Sequence, residues 1–321
     1  METRLEELQK KFVNLRNGVF IHFNSATEQF HNSEVEDWDY GINDKNDPRR
    51  HEFHPETWNP CELDCREWAK VALSAKAKFA ALTAKHHEGF CLWPTQTTEH
   101  CIRNGQYQHD VVKEYLEAFR EAGIVAGLYF SMLDLQHDIT DRKCTAEDKA
   151  FIKAQLGELL HNYGEIPFLI IDGWNAPWGG PKFEDLSFQE IDEYVKGIQP
   201  DCLVMNIGCV DSLKDTDIPF FENAFGQSAD DKFEGPGAAA NIFASTWFWR
   251  DEHTNSTLKS AEWAAERVEE YNKKNISFLM NISPNNRGTV DANLKERFAE
   301  FGKLYHEIPP VEELPEGWMR R

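Results

Sequence analysis

Short runs rich in Val, Ile and Phe recur along this chain, separated by segments with the i, i+3, i+4, i+7 spacing of amphipathic helices. Parallel strands need long crossover connections, so repeated β-then-α units predict a parallel sheet covered by helices. Eight runs read as strands: Val19–Phe23, Phe79–Thr83, Val125–Phe130, Phe168–Ile171, Leu203–Ile207, Pro219–Phe221, Ala244–Phe248 and Ser277–Ile282. That number predicts a closed (β/α)8 TIM-like barrel. Val112, Tyr115, Leu116 and Phe119 mark one helix, and Ile152, Leu156, Leu159 and Tyr163 another, with stops near Gly123 and Gly164. Further helical patterns cover about Cys65–Ala75, Phe188–Ile198, Ala261–Asn272 and Leu294–His306. Gly208–Asp217 is too short for a crossover helix plus its loops, so the barrel is expected to be irregular around strands 5 and 6. Gly235–Ala240 reads as a surface loop.

The 321 residues can bury one large core, and with no internal repeat or linker the expectation is a single domain over 1–321 that begins with a helix. A formal net charge of −21 repels phosphate backbones and anionic lipid surfaces, and no basic stripe offsets it. Neither a nucleic-acid nor a membrane partner is expected. The opening METRLEELQKKFVNL is charged and amphipathic, unlike a secretion signal, and no run of about 18 apolar residues occurs. Seven scattered cysteines, an odd number, favour reduced thiols and a cytoplasmic location over a disulfide framework. Cys61-x3-Cys65 lacks the second pair that a zinc site would need.

A barrel does its chemistry at the carboxyl ends of its strands. Here those ends carry His22 and Asn24; Lys85, His86 and His87; Tyr129 and Ser131; Asp172; Asn206; Glu222 and Asn223; Trp247 and Trp249; and Asn281. Asp172 is the sharpest signal, since FLIIDGW places a carboxylate directly after four apolar residues, with Gly173 free to turn the backbone; the bland reading is a helix cap or structural turn. The two histidines of the His86-His87 pair would point to opposite sides of a strand, a rule that relaxes where a strand ends. His22, His86 and Asp172 could form a metal set, but without an H-x-H or H-E-x-x-H string no metal is expected. Trp38, Trp93, Trp174, Trp178, Trp247 and Trp249 follow strands in loops, where flat rings can stack on a ligand with C–H faces, such as a sugar.

TAKHHEGFCLWPT, with GVFIHFN before it and DVVKEYLEAFREAGIVAGLYFS after it, resembles the α-L-fucosidases of glycoside hydrolase family 29. LLHNYGEIPFLIIDGW is similar to the family's nucleophile strand, and FLMNISPNNRGTVD to its closing strand. The resemblance implies a retaining, exo-acting α-L-fucosidase without cofactor. Asp172 matches the nucleophile; His22, His86 and His87 match histidines that bind the sugar hydroxyls; Tyr129 and Trp93 fall at matched pocket positions; Asp37-Trp38 stands where the family usually has Glu-Trp. The acid/base varies among subgroups, which leaves Glu222 as first choice, with Glu234 and Glu252 in reserve. Trp174 and Trp247 are further substrate-binding candidates, and Phe90, Trp93 and Trp247 candidates for the apolar wall facing the fucose methyl. Family members usually carry a carboxyl-terminal β-sandwich, whereas the expectation here is the catalytic barrel alone; a related sugar, a sugar-binding protein with little turnover, and homo-oligomerisation are the open alternatives.

Overall fold

In a computed structural model the described residues are 2–29 and 53–321. Eight parallel strands form one sheet in the order β5-β4-β3-β2-β1-β8-β7-β6. They are β1 (Asn17–Ile21), β2 (Phe79–Lys85), β3 (Val125–Ser131), β4 (Phe168–Asp172), β5 (Leu203–Asn206), β6 (Phe220–Glu222), β7 (Gly237–Asn241) and β8 (Ile276–Ile282). β1 pairs with both β2 and β8, so the sheet curls into a barrel whose free edges, β5 and β6, meet at a seam. There the ladder shrinks to a single bridge, Ile207 to Phe220. Side chains take over the rest: Thr216 Oγ1 accepts from Asn206 N at 3.1 Å and Asp217 Oδ2 from Val204 N at 2.9 Å. The expected irregularity lies where a crossover helix has no room.

Period-2 alternation divides the apolar side chains between two layers. Val19, Ile21, Leu128, Leu169, Ile171, Val204 and Phe278 face outward to the helices. Phe20, Phe79, Tyr129, Phe168, Ile170, Met205, Phe220 and Leu279 fill the barrel. The amino-terminal helix Arg4–Val13 closes the bottom, with Phe12 edge-on against Phe79 at 5.2 Å and Phe168 at 5.3 Å. Outer helices start at side-chain caps, Asp64, Asp110, Thr145, Ser187 and Ser260 each accepting a backbone N–H. Each such cap contributes about 1 kcal/mol. Gly123 and Gly164 follow their helices with left-handed φ of 74° and 72°, as their positions in the sequence implied.

One strand is not where the apolar pattern put it. β7 is Gly237–Asn241, which overlaps the segment Gly235–Ala240 read as a loop, whereas Ala244–Phe248 is irregular. Hydrophobicity and β-branching favour FASTWF over GAAAN. Space decides otherwise: Ala238 and Ala240 face an interior already filled by aromatic rings, and a Cβ on Gly237 would lie 2.6 Å from Ile276 Cγ1. The displaced aromatics become a wall at the top of the barrel. Among the described residues no helix is long and apolar enough to cross a membrane.

Enlarging this small-residue strand tests the packing account. Ala238→Leu is expected to destabilise the fold by about 1–3 kcal/mol through overpacking, read as a lower urea midpoint at unchanged slope. An unchanged midpoint would contradict an interior placement.

Candidate active site

The same alternation that fills the barrel aims the polar residues at its axis. Phe20 is followed two residues later by His22, Ile170 by Asp172, and Phe220 by Glu222, each on the inward face. All three polar side chains line one cavity of about 790 Å³ at the carboxyl end of the barrel, together with His86, His87, Tyr129, Trp174 and Trp247. Asp172 and Glu222 stand on β4 and β6, with β5 between them.

Asp172 is held on both oxygens. Tyr129 donates its hydroxyl to Oδ2 at 2.8 Å, and Gly173 donates its backbone N–H to Oδ1 at 2.6 Å. Gly173 turns the chain with φ of 59°, where a Cβ would meet Leu133 Cβ at 2.6 Å. No other residue fits that turn without displacing Leu133. The strand-end carboxylate is therefore fixed by Tyr129 on the neighbouring strand β3 and by Gly173 in the turn.

The histidines are locked as neutral rings. Asn281 Nδ2 donates to the Trp247 carbonyl at 2.7 Å, so its Oδ1 faces His22 Nδ1 at 2.6 Å and accepts a hydrogen bond from it. Ser131 donates to the Leu133 carbonyl at 2.8 Å, so its oxygen accepts from His87 Nδ1 at 2.7 Å. In both rings Nε2 is left as an acceptor. Burial pushes the pKa of His22 down to about 3, against its bond to Asn281, and holds His86 and His87 below the usual histidine range as well. His87 Nε2 then faces Asp172 Oδ2 across 3.6 Å, two acceptors spaced to receive hydrogen-bond donors from a ligand. His86 stacks on Tyr129, centroids 5.6 Å apart, and His22 on Trp247 at 4.7 Å. The adjacent histidines share one cavity because β2 ends at Lys85 and both lie beyond it.

Behind this wall, Lys85 Nζ bonds Asp134 Oδ2 at 3.1 Å and Gln155 Oε1 at 2.9 Å, both ion-pair partners being fully buried. Asp134 Oδ1 accepts from His137 N at 3.0 Å and meets His137 Nδ1 at 2.8 Å. Leu135 N reaches the His87 carbonyl at 2.9 Å, tying the loop after β3 to the histidine turn.

Other expected residues fall elsewhere. Trp93 does not line the cavity: it is buried in the outer core with Nε1 on Glu158 at 2.7 Å. Phe90 also packs outside it, against Phe53 and Trp58. Trp174 reaches the cavity but is chiefly a core ring, bonded to the Leu186 carbonyl at 2.9 Å. Glu234 sits at the foot of β7, accepting from Gly317 N at 2.8 Å, and Glu252 is exposed on a turn; neither lines the cavity. Asp37 and Trp38 lie outside the described residues. Glu28 has a carboxyl raised to about 7 by burial, yet it is not on the cavity wall, so a raised pKa alone does not select the acid. The sequence reading passed over Asp141, Phe225 and Gln227, which line the mouth from loops that no strand period reaches. Among the described residues no three His, Cys, Asp or Glu side chains converge as metal ligands.

A parallel (β/α)8 barrel with paired carboxylates, neutral imidazoles and aromatic walls at its carboxyl end has the form of a carbohydrate-processing site. The Alpha-L-fucosidase family profile matches residues 1–307, and the chain belongs to that family. Alpha-L-fucosidase 1 of Arabidopsis thaliana is 29% identical over 314 residues, covering 90% of this chain and 58% of the plant protein. The chain spans about half the length of the curated relatives it matches, 52% to 58% for the first three. By fold it is similar to alpha-L-fucosidase isoenzyme 1 from Paenibacillus thiaminolyticus, with TM-score 0.75, 23% identity, and coverage of 94% of this chain and 76% of that one. It is also similar to alpha-L-fucosidase AlfC from Lactobacillus casei, with TM-score 0.69, 19% identity, and coverage of 93% and 98%.

The depressed histidines make stability depend on pH. Between its ordinary value near 6.5 and about 3, an unfolded His22 binds a proton that the native ring refuses. Stability is therefore complete above 6.5 and falls as pH is lowered, by up to about 1.4 kcal/mol per pH unit for each such ring. His22→Gln is expected to flatten the fall between pH 7 and 5 in urea titrations; an identical slope would contradict the buried, neutral assignment.

Proposed function

We propose that this chain is a retaining, exo-acting α-L-fucosidase, with Asp172 as nucleophile and Glu222 as acid/base. The observation that carries the reading is Asp172 at the tip of β4, held by Tyr129 and Gly173 in the cavity that Glu222 also lines. Asp172 attacks the anomeric carbon as the glycosidic bond breaks, and Glu222 gives its proton to the departing oxygen. Glu222 then takes a proton from water, which attacks the same carbon and releases Asp172, giving net retention. Retention calls for carboxyl groups about 5–5.5 Å apart.

The rest of the cavity suits a deoxy sugar. The Nε2 atoms of His22 and His87 accept from ring hydroxyls. Phe20 and Trp247 offer apolar surface to a methyl in place of a hydroxymethyl. His86, Trp174 and the Asp37-Trp38 pair complete the proposed substrate-binding set. A fucosylated glycan or fucoside is the proposed partner. The net charge of −21 argues against nucleic acid and anionic membranes, and self-association belongs to the same reading. The seven free cysteines support placing the protein in the cytoplasm.

Azide separates the two carboxylates. Asp172→Ala is expected to lower kcat on an aryl α-L-fucoside by on the order of 10³–10⁵, and added azide to yield the inverted β-L-fucosyl azide, identified by NMR. Glu222→Ala with azide is expected to yield the α-anomer. An active Asp172→Ala enzyme, or the same azide anomer from both variants, would overturn the assignment.

A further inference from the structure

We propose that Arg321 is a positioning residue for Glu222: it fastens the short segment that spaces β6 from β5 and so sets the gap between the two carboxylates. The inference rests on the fucosidase reading above, in which Glu222 is the acid/base. Asp172 stands on β4 and Glu222 on β6. The backbone ladder joins those strands the long way round, through β3, β2, β1, β8 and β7, whereas the short way runs through β5 and the seam. Small shifts accumulate over a long path, so the spacing of the carboxylates is fixed at the seam. A retaining site needs that spacing held closely, since a misplacement of about 1 Å can cost on the order of 10²-fold in rate.

Below the bridge from Ile207 to Phe220, β5 is tied to Thr216 and Asp217, the residues that lead into β6. Asp217 meets Val204 twice: its carboxylate accepts from Val204 N, and its own N–H donates to the Val204 carbonyl at 2.8 Å. Arg321 grips the same two residues. Its Nη2 donates to Asp217 Oδ1 at 3.0 Å and to the Thr216 carbonyl at 2.9 Å, and its Nε to the Leu213 carbonyl at 3.0 Å. The guanidinium carbon lies 5.4 Å from the centroid of the Phe188 ring, and Lys196 Nζ donates to Asp217 Oδ2 at 2.6 Å. Phe188 and Lys196 belong to the helix Phe188–Ile198 that precedes β5. One planar, forked cation therefore joins the segment before β6 to the helix before β5, a task for which arginine's fixed donor geometry suits it.

Arg321 is itself held in place. Trp318 is buried with Nε1 donating to Gln9 Oε1 at 3.2 Å, and Met319 N donates to the Gly235 carbonyl at 2.8 Å. Gln9 Nε2 donates in turn to the Asp217 carbonyl at 2.6 Å, so the amino-terminal helix meets the same junction. The Asp217 side chain is fully buried, whereas that of Arg321 is 39% exposed. Removing Arg321 thus leaves the core packed but takes a cation from a buried carboxylate that depends on it.

The test compares two aryl α-L-fucosides, one releasing 4-methoxyphenol, which needs a proton as it departs, and one releasing 2,4-dinitrophenol, which does not. In Arg321→Ala the ratio of kcat/KM for the methoxyphenyl to that for the dinitrophenyl substrate is expected to fall by on the order of tenfold. Loss of folded protein lowers both rates together and leaves the ratio unchanged. Hydrogen–deuterium exchange in the same variant is expected to quicken in peptides covering β5 and to stay at the wild-type rate in β1. An unchanged ratio, or unchanged exchange at β5, overturns the role of Arg321. Glu222→Ala is the control for the underlying reading and is expected to lower the ratio at least as far. A wild-type ratio in Glu222→Ala removes Glu222 as the acid, and with it the effect on catalysis, while exchange at β5 still decides whether Arg321 fastens the seam.

Discussion

Closure of eight parallel strands is the constraint on which the rest depends. In a barrel every second side chain must face the axis, and below the site that space is filled by Phe20, Phe79, Phe168, Ile170 and Phe220 and plugged by Phe12. Two residues further along their strands, the same geometry delivers His22, Asp172 and Glu222 to a common cavity. The apolar layer and the chemical layer are successive positions of one periodic pattern. A register slip of one residue on β4 would bury Asp172 against the helices and turn Ile171 into the site.

Electrostatics refines what closure places. The cavity wall is built of rings kept neutral by burial, with tautomers set by Asn281 and Ser131. Behind it Lys85 and Asp134 neutralise one another and anchor the loop that supports Leu133 and Leu135. Such a buried pair contributes little net stability, but leaving either partner alone is costly, so it specifies the loop's path more than it strengthens the fold. Reaching hands of Tyr129 and Gly173 then orient both oxygens of Asp172.

Much of this was legible in the sequence wherever a period was long enough to read. FLIID and GVFIH announce inward-facing ends, and the short Gly208–Asp217 connection announces the seam. GAAAN was not legible as β7, because its place is earned by the volume of neighbouring rings and not by its own propensity. Trp93 looked like a site residue from its motif, yet its indole turns outward to Glu158, a choice made by tertiary packing. Asp141, Phe225 and Gln227 sit on loops without periodicity, so only the folded chain brings them to the cavity mouth.

The central claim is that Asp172 forms a covalent bond to the sugar. Treating the wild-type protein with 2-deoxy-2-fluoro-α-L-fucosyl fluoride slows release of the intermediate, and peptide mass mapping then locates the adduct. The account predicts one fluorofucosyl ester, on Asp172. An adduct on another carboxylate, or continued turnover of an aryl fucoside with no adduct on any residue, would contradict it.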